Sequence, residues 1–323
     1  MKTGKISEPI LKRSVLKKIS YKDKSVLGRA AVGYDAAVVA LEDYKLVTST
    51  ETVVAKRDLH MNRAFIKAVN NLAAMGVRPK YAQISVVLPE GMREIKLKML
   101  MDEMCDFATK RKISITGGNT SVSAGVNNPV VTVSVTGVVS KDDPCNYKYK
   151  EEIKPGYDIV MTNAAALEAT ALLAYEEEEE LKTRFTSLYI DRAKEFAKEL
   201  SIEKEASIAV KNGVKAMHDM SDTGVFGALW ELGEAGNCGV EVNLKKINMR
   251  QETIELTNHL GINPYIIPSS GSLLMVTSDG LGLIHELEKE DICACVIGKI
   301  TEGHDRVIIN EDERRYLEPP KNK

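Results

Sequence analysis

Apolar and polar positions along the chain follow two periods, which alternate from one segment to the next. Short apolar stretches bounded by turn-forming or charged residues predict strands. In the first half of the chain these stretches lie at 36–40, 46–49, 81–88 and 128–139. Apolar residues at spacings of three and four predict helices at 63–75 and 93–109, and Gly76 followed by Pro79 is the usual ending of such a helix.

The second half of the chain repeats this alternation. Strands are predicted at 157–161, 240–244, 271–277 and 294–300. Helices are predicted at 164–181, 189–200, 202–212, 284–289 and within 217–239. The polar stretch between Ser140 and Pro155 is the best linker, and it divides the chain into domains at 1–150 and 151–323. The predicted fold class is therefore α/β (α+β), with two domains.

The composition of the chain argues against several classes of protein. The 323 residues are enough for about two domains. With 44 Lys+Arg against 46 Asp+Glu, the formal charge of −2 removes the electrostatic argument for a nucleic-acid partner. No apolar run approaches the ~20 residues of a membrane-spanning helix, so no membrane association is expected. The five cysteines form neither a CxxC pair nor a zinc-binding spacing, and Met1–Lys18 lacks the apolar core of a secretory signal, so a cytoplasmic protein with reduced thiols is expected.

Two glycine-containing segments are candidates for binding phosphate. Residues 113–121 run from a β-rich stretch into Gly117, Gly118 and small polar residues, whose amides and hydroxyls could line an anion pocket. The Lys of a Walker loop is absent there, and a tight polar turn explains the segment equally well. The pair Gly280 and Gly282 is a near miss to a dinucleotide fingerprint, which a helix N-cap at 278 or 279 explains better.

Acidic residues and a histidine supply the other candidate chemistry. Asp35 and Glu51 lie at the edges of predicted strands, and hard cations such as Mg²⁺ prefer carboxylate oxygens. Isolated acids at strand ends are also common without a metal. His218 precedes a predicted helix, where helix capping by Ser221 or Asp222 beside a hydrogen-bonded histidine is the plainer interpretation. The run 176–180 of five Glu is typical of a solvated helix face.

A series of short motifs gives these segments more weight, because the motifs occur in a familiar order. They are Gly33-x-Asp35, Thr50-Glu51, Asn70-Asn71 with Gly76 and Pro79, Gly117-Gly118-Asn119-Thr120, Gly156-x-Asp158, Leu167-Glu168-x-Thr170, Met217-His218-Asp219 with Gly224, and Ser269-Ser270-Gly271. In this order they resemble the aminoimidazole-ribonucleotide synthase-like superfamily, and most closely its hydrogenase-maturation branch, the HypE-like proteins. The resemblance runs from about Gly4 to about Ile300.

The resemblance implies two α/β domains: an N-terminal domain with a mixed sheet and helices that forms a homodimer, and a C-terminal α/β sandwich domain. It implies ATP and Mg²⁺ in a cleft between the domains, and phosphorylation of an oxygen of an amide or phosphate ester. The positions that it assigns to ATP are Asp35, Asn71, Gly117, Gly118, Asn119 and Thr120. Those for Mg²⁺ are Asp35 and Glu51, and those for catalysis are His218 and Glu168.

The chain departs from the family pattern where metal and thiol are needed. Tyr34 stands where the thiamine-monophosphate-kinase branch has an Asp, and Asn71 and Asn119 stand where Asp is expected. Asn supplies a carbonyl acceptor without negative charge, so a weakened magnesium site is expected. No cysteine follows Cys295 to act as the C-terminal thiol of the maturation proteins, which argues against their cyanide-forming reaction.

Two classes of function stay open. One is an ATP-dependent enzyme that phosphorylates an amide, carboxylate or phosphate substrate, which Asp35, Glu51, Thr120 and His218 support. The other is a non-catalytic homodimer that binds a nucleotide or another ligand, or serves as a maturation partner, which Asn71, Asn119 and the missing C-terminal thiol support. The residues slightly favour retained nucleotide binding over turnover. A plain α/β protein with structural polar turns is hard to reconcile with motifs that follow one another in register.

Overall fold

A computed structural model describes residues 5–21, 23–28, 30–55, 62–143 and 152–320. They form two compact units. The six-stranded unit consists of the described residues of Lys24–Arg29 and Asp35–Cys145, and the seven-stranded unit of those of Met1–Asp23, Ala30–Tyr34 and Asn146–Lys323. The domain boundary predicted at 150/151 lies outside the described residues.

The secondary structure alternates between strands and helices in both units. The strands are β1 (Val26–Gly28), β2 (Ala37–Ala40), β3 (Tyr44–Val54), β4 (Tyr81–Pro89), β5 (Ser114–Ser123), β6 (Val130–Ser140), β7 (Asp158–Thr162), β8 (Ala216–Asp219), β9 (Gly239–Asn243), β10 (Leu273–Thr277), β11 (Ala294–Thr301), β12 (Arg306–Asn310) and β13 (Glu313–Tyr316). The α-helices are α1 (Glu8–Ser14), α2 (Arg63–Ala74), α3 (Glu94–Arg111), α4 (Leu167–Glu176), α5 (Glu178–Leu181), α6 (Ser187–Glu195), α7 (Glu203–Lys211), α8 (Gly224–Gly236), α9 (Gln251–His259) and α10 (Gly280–Glu288).

The six-stranded sheet has the strand order β1-β2-β3-β6-β4-β5, in which β4 and β5 are parallel and all other neighbours are antiparallel. Successive side chains of a strand point to opposite faces. In β6, Val131, Val133 and Val135 are accordingly buried on the face where α2 packs. Helix α3 joins this layer through Phe107, whose ring lies 4.9 Å from that of Phe65 in α2.

The opposite face of this sheet is lined by hydroxyl groups. Thr50 and Ser134 are hydrogen-bonded across β3 and β6 at 2.9 Å, and Thr52 and Thr132 at 3.0 Å. Threonine favours strands because its branched side chain suits the pleated surface. The unit therefore has one apolar face beneath helices and one polar face.

The seven-stranded sheet has the order β13-β12-β9-β11-β7-β10-β8, with β9 and β12 parallel and the other neighbours antiparallel. Every residue of β8 and β10 is buried. The N-terminal helix α1 is attached to α8, because Trp230 Nε1 donates to Glu8 Oε2 at 2.7 Å and Lys12 pairs with Glu234 at 2.8 Å. Helix α1 thus belongs to the seven-stranded unit.

The predicted fold class is confirmed, with two mixed sheets and packed helices. Segments with strong periodicity lie close to their predicted limits, as α2 and β4 do. The helix predicted at 164–181 starts late and is broken into α4 and α5. Ala166 has a left-handed backbone (φ +62°), and Glu177 leaves helical geometry (φ −107°, ψ 25°). The N-cap predicted at 278 or 279 is confirmed at Asp279, whose side chain accepts from Gly282 N at 2.9 Å.

Other expectations were wrong or incomplete. Residues 114–123 form β5 rather than a turn, because the extended backbone of this stretch pairs with β4 along its whole length. Helix α8 is preceded by Thr223 without a side-chain cap, so capping by Ser221 or Asp222 was wrong. Six elements had no counterpart in the sequence pattern. They are β1, β8, β12, β13, α1 and α9.

Candidate functional site

Three motif positions that lie far apart in the sequence are joined by hydrogen bonds through Ser49 and Asn71 in the six-stranded unit. Ser49 Oγ donates to the backbone carbonyl of Asp35 at 3.1 Å and accepts from Asn71 Nδ2 at 2.9 Å. The same Nδ2 donates to Glu51 Oε1 at 2.8 Å. We call Asp35, Ser49, Glu51 and Asn71 the Asn71 cluster. The structure therefore brings together three of the residues predicted for ATP and Mg²⁺, and adds Ser49.

Local structure explains why these side chains meet. Ser49 and Glu51 are two residues apart in β3, so both point to the face that α2 covers. Helix α2 lies close to this face because Ala64 and Ala68 present only methyl groups to their surroundings and are completely buried. Asn71 is buried in the next turn. A short polar side chain at this position therefore reaches the strand directly.

The orientation of the Asn71 amide follows from its partners. A carboxylate only accepts hydrogen bonds, so the amide nitrogen and not the oxygen faces Glu51. The two N–H groups are then engaged by Ser49 and Glu51. An amide N–H offers no lone pair to a cation, and it occupies the very carboxylate that was assigned to Mg²⁺.

The residues present therefore do not fit the magnesium site that the resemblance implies. Hard cations take several oxygen ligands, and their affinity rises with the number of charged ligands. Across the described ranges, no group of three or more His, Cys, Asp and Glu side chains could hold a metal ion. Glu51 is the carboxylate that these hydrogen bonds place in the Asn71 cluster, because Asp35 takes part through its backbone carbonyl.

The glycine-rich segment lies in β5, an edge strand of this sheet. Its candidate residues are Gly117, Gly118, Asn119 and Thr120, all in β5. Glu51 pairs with Val133, Val133 with Ile84, and Ile84 with Gly118, so Glu51 and Gly118 share one row. Three strand spacings separate them, or about 14 Å. Asn119 lies in the neighbouring row with Thr52, on the hydroxyl-lined face. Within one chain, the structure does not bring these four residues to the Asn71 cluster.

The packing of β4 against β5 requires glycine at position 118. A Cβ atom at this position would lie 1.7 Å from the backbone oxygen of Ile84, whereas a Cβ at Gly117 would meet nothing within 4 Å. Only glycine lets the two parallel strands approach in this way. Gly118 is therefore needed for the pairing of β4 with β5, whatever else the segment binds.

A second cluster of polar side chains is buried in the seven-stranded unit. His218 in β8 is 2% exposed, and its Nε2–H donates to Glu231 Oε2 of α8 at 3.1 Å. Lys5 Nζ donates to the other carboxylate oxygen of Glu231 at 3.0 Å. The hydrogen-bonded histidine expected from the sequence is thus observed. Glu231 lies between two nitrogen donors from distant parts of the chain.

Electrostatics fix the charge of Glu231. Burial by itself raises the pKa of this carboxyl, but the Lys5 ammonium and the hydrogen bond from His218 outweigh burial and lower the pKa to about 2. The folded protein therefore holds Glu231 as a carboxylate at every pH above the acid range. The buried charge is compensated on both oxygens, as buried charges require.

Glu168, the other predicted catalytic residue, is also buried. It is 1% exposed and accepts a hydrogen bond from Ser270 Oγ at 2.6 Å. Nearby in the same unit, Asn163 Nδ2 donates to Glu205 Oε1 at 2.8 Å, and burial raises the pKa of the Glu205 carboxyl. His218 and Glu168 thus lie in internal hydrogen-bonded networks, and their predicted catalytic roles stay predictions.

The motif Gly33-x-Asp35 is divided between the two units. Gly33 has a left-handed backbone (φ +79°), and a Cβ there would lie 2.2 Å from the backbone oxygen of Glu231. Tyr34 packs against the core of the seven-stranded unit, while Asp35 belongs to the six-stranded unit. Tyr34 thus fills apolar space where another branch of the superfamily has an acid.

Sequence reasoning missed several of these residues. Ser49, Lys5 and Glu231 owe their roles to partners more than ten residues away. The sequence weakly indicated the role of Glu231, since a Glu among the apolar residues of α8 is expected to be paired with a cation or a hydrogen-bond donor. Nothing in the sequence indicated the role of Ser49 except that Ser49 lies two residues before Glu51.

The described cysteines are all free, and Cys105 and Cys293 are exposed. Burial raises the pKa of the Cys238 thiol to about 11. None of the helices in the described part of the chain combines the length and apolar composition needed to cross a membrane. The cytoplasmic location stays a prediction.

The chain has two mixed α/β units, and residues from three of its motifs are joined by hydrogen bonds in one of them. Family comparison gives the class. Residues 33–139 match the N-terminal domain of AIR synthase related proteins, and residues 154–310 match their C-terminal domain. The chain belongs to the family of AIR synthase related proteins, as its motifs predicted.

Individual relatives lie in the hydrogenase-maturation branch. A provisionally named hydrogenase expression/formation protein of Methanocaldococcus jannaschii is 24% identical over 322 residues, which cover 95% of this chain and 91% of that protein. A solved HypE–HypF complex contains a chain that matches with a TM-score of 0.74 at 17% identity, over 95% of this chain and 100% of that chain. HypE in complex with ATP matches with a TM-score of 0.72 at 16% identity, over 97% and 94%. At these identities, the two structures show a shared fold.

Proposed function

We propose that this HypE-like protein binds ATP or a related nucleotide, with the phosphate groups near the Asn71 cluster. The proposal is carried by the hydrogen bonds that join these motif positions: Ser49 is bonded to the Asp35 backbone carbonyl and to Asn71, and Asn71 is bonded to Glu51. These positions come from three separate motifs, and a shared structural role does not by itself explain why polar groups are gathered beneath a helix. The structure of HypE with ATP supports the choice of ligand.

The geometry favours binding over rapid turnover. Phosphoryl transfer depends on metal ions that neutralise charge developing on the transferred group. Asn71 directs an N–H group at Glu51, which leaves fewer acidic oxygens for such an ion. The protein then acts as a nucleotide-dependent binding or maturation partner. The enzyme that phosphorylates an amide, carboxylate or phosphate is the second candidate, supported by the retained carboxylates of Asp35 and Glu51.

A homodimer is part of this proposal. Asn119 and Thr120 lie about 14 Å from Glu51 across the sheet, too far to touch the same phosphate group. We propose that β5 of a second copy supplies these residues to the Asn71 cluster of the first chain. That HypE forms a complex with HypF supports a protein partner as a further possibility for this chain.

The experiment is calorimetric titration of the full chain with ATP, ADP and GTP. The informative variant is Asn71→Ala, which removes the hydrogen bonds that Asn71 donates to Ser49 and Glu51. Losing a hydrogen bond to a charged group costs roughly 1 kcal/mol or more. The variant is therefore expected to bind ATP about tenfold more weakly. The matched control is Asn127→Ala, since Asn127 is exposed in the loop between β5 and β6. Failure of wild-type protein to bind any of the three nucleotides overturns the proposal, as does an equal loss in the two variants.

A further inference from the structure

Two cysteines lie two residues apart at the start of strand β11. Cys295 is the second residue of this strand, and Cys293 directly precedes the strand. The pairing of β11 with β7 continues through Cys293, whose backbone oxygen accepts a hydrogen bond from Asn163 N at 2.7 Å. The chain is therefore extended from Cys293 to Cys295. Residues two apart in an extended chain direct their side chains to the same face of the sheet.

Both thiols contact the same short segment, which follows β9 in the chain. Cys295 Sγ donates a hydrogen bond to the backbone oxygen of Lys246 at 3.1 Å. Asn248 Nδ2 lies 3.9 Å from Cys293 Sγ. Burial raises the pKa of the Cys295 thiol, and a negative charge on the Cys293 sulfur raises this pKa further. These contacts and this electrostatic interaction agree with two sulfur atoms that lie near each other on one face.

The spacing of the two cysteines suits a bridging metal ion better than a disulfide. Cα atoms two residues apart in a strand are separated by about 6.7 Å, and their side chains stand nearly perpendicular to the sheet. The Cβ atoms are then farther apart than the ~4.5 Å at which disulfides form. Two metal–thiolate bonds of about 2.3 Å each span about 4.6 Å between the sulfur atoms. Side chains on one face reach that separation by leaning toward each other.

We propose that Cys293 and Cys295 bind a soft monovalent metal ion, Cu⁺, as a dithiolate site of the seven-stranded unit. Thiolates are soft ligands that select Cu⁺, and Cu⁺ is stable with only two of them. A structural Zn²⁺ takes four ligands, and the described part of the chain has no group of three or more His, Cys, Asp and Glu side chains that could hold a metal ion. Cys293 is exposed and Cys295 is half-buried, so the site is open to solvent.

Binding changes the protonation of the site and leaves its oxidation state unchanged. Both S–H bonds are broken, two protons pass to water and two Cu–S bonds form. The hydrogen bond from Cys295 to Lys246 is given up in this step, because its proton leaves. The site does not depend on the nucleotide proposed above, since the Asn71 cluster belongs to the other unit.

The test is anaerobic competition for Cu⁺ between the reduced full chain and the coloured chelator bathocuproine disulfonate. Wild-type protein is expected to withdraw one Cu⁺ per chain from the chelator. Cys293→Ser and Cys295→Ser each leave a single thiolate, so each variant is expected to bind Cu⁺ at least about a hundredfold more weakly. The matched control is Cys105→Ser, which removes an exposed cysteine of α3 and is expected to bind Cu⁺ like wild type.

Alkylation followed by mass spectrometry locates the ion without any substitution. Because the thiolate is the nucleophile, Cu⁺ bound to Cys293 is expected to slow its reaction with iodoacetamide at least about tenfold. The rate at the exposed Cys105 is expected to stay the same. If Cys295→Ser does not fold, the substitution at the exposed Cys293 and the alkylation rates decide the question.

Four results overturn the inference. The first is wild-type protein that takes no Cu⁺ from the chelator. The second is a Cys293→Ser affinity within about twofold of wild type, or a loss equal to that of Cys105→Ser. The third is equal protection of Cys293 and Cys105 from iodoacetamide. The fourth is half a Cu⁺ per chain that persists in Cys295→Ser, because two chains then share the ion through Cys293.

Discussion

The buried carboxylate of Glu231 makes stability depend on pH in a defined way. Its pKa is about 2 in the folded protein, against an ordinary value of 4.5. When the pKa of a carboxyl group is lower in the folded protein than in the unfolded chain, the group stabilises the fold at pH values above the unfolded pKa. This stabilisation is lost as the pH falls toward the folded-state pKa. The difference corresponds to about 3 kcal/mol at pH 7. About 2 kcal/mol of that contribution is lost on going from pH 7 to pH 3, because the unfolded chain binds the proton first.

The perturbation is Glu231→Gln, which preserves shape and removes the charge between Lys5 and His218. Urea unfolding at pH 7 is expected to show a loss of about 3 kcal/mol, and at pH 3 a clearly smaller loss. Glu313→Gln is the matched control, since Glu313 is an exposed residue of β13 whose salt bridge to Arg315 contributes little. Equal effects of the two variants, or a loss at Glu231 that does not change between pH 7 and pH 3, refute the reasoning.

The remaining predictions concern backbone fit and thiol reactivity. Gly118→Ala is expected to destabilise the protein by about 3 kcal/mol or more, because the new Cβ meets a carbonyl oxygen of β4. Gly117→Ala also puts alanine at a positive φ (+157°), but its Cβ meets no atom, so it is expected to cost less than Gly118→Ala. Gly33→Ala is expected to lower the melting temperature far more than Gly303→Ala, although both glycines have φ above +70°, since only the first faces a crowded backbone. Cys238, with its pKa raised to about 11, is expected to resist iodoacetamide at pH 8 until urea unfolds the chain, while the exposed cysteines react at once.

Each of these three predictions can be contradicted by one result. Equal unfolding free energies for the alanine variants at 117 and 118 contradict the close approach of β4 and β5. Equal melting temperatures for the variants at 33 and 303 contradict the contact with α8. Alkylation of Cys238 in the native protein at the rate of Cys293 contradicts its burial.

The sequence predicted best where one period extends over a whole element. Helix α2 was expected at 63–75 and is observed at Arg63–Ala74, because its apolar positions are regular and Gly76 ends it. Strand β5 was missed because Gly117, Gly118 and the polar residues after them have low strand propensity, and pairing with β4 overrides it.

The candidate site was predictable only where its residues belong to local sequence motifs. Asp35, Glu51 and Asn71 belong to motifs and were named from the sequence, whereas the serine that joins them is defined by contacts across β3 and α2. The separation of Asn119 from this cluster depends on strand order, which no local pattern reveals.

The measurement that tests the account most directly is the titration of wild-type protein and of Asn71→Ala with ATP. The account predicts saturable binding to wild-type protein and an affinity about tenfold lower in the variant. No binding to wild-type protein, or equal affinities of the two proteins, contradicts it.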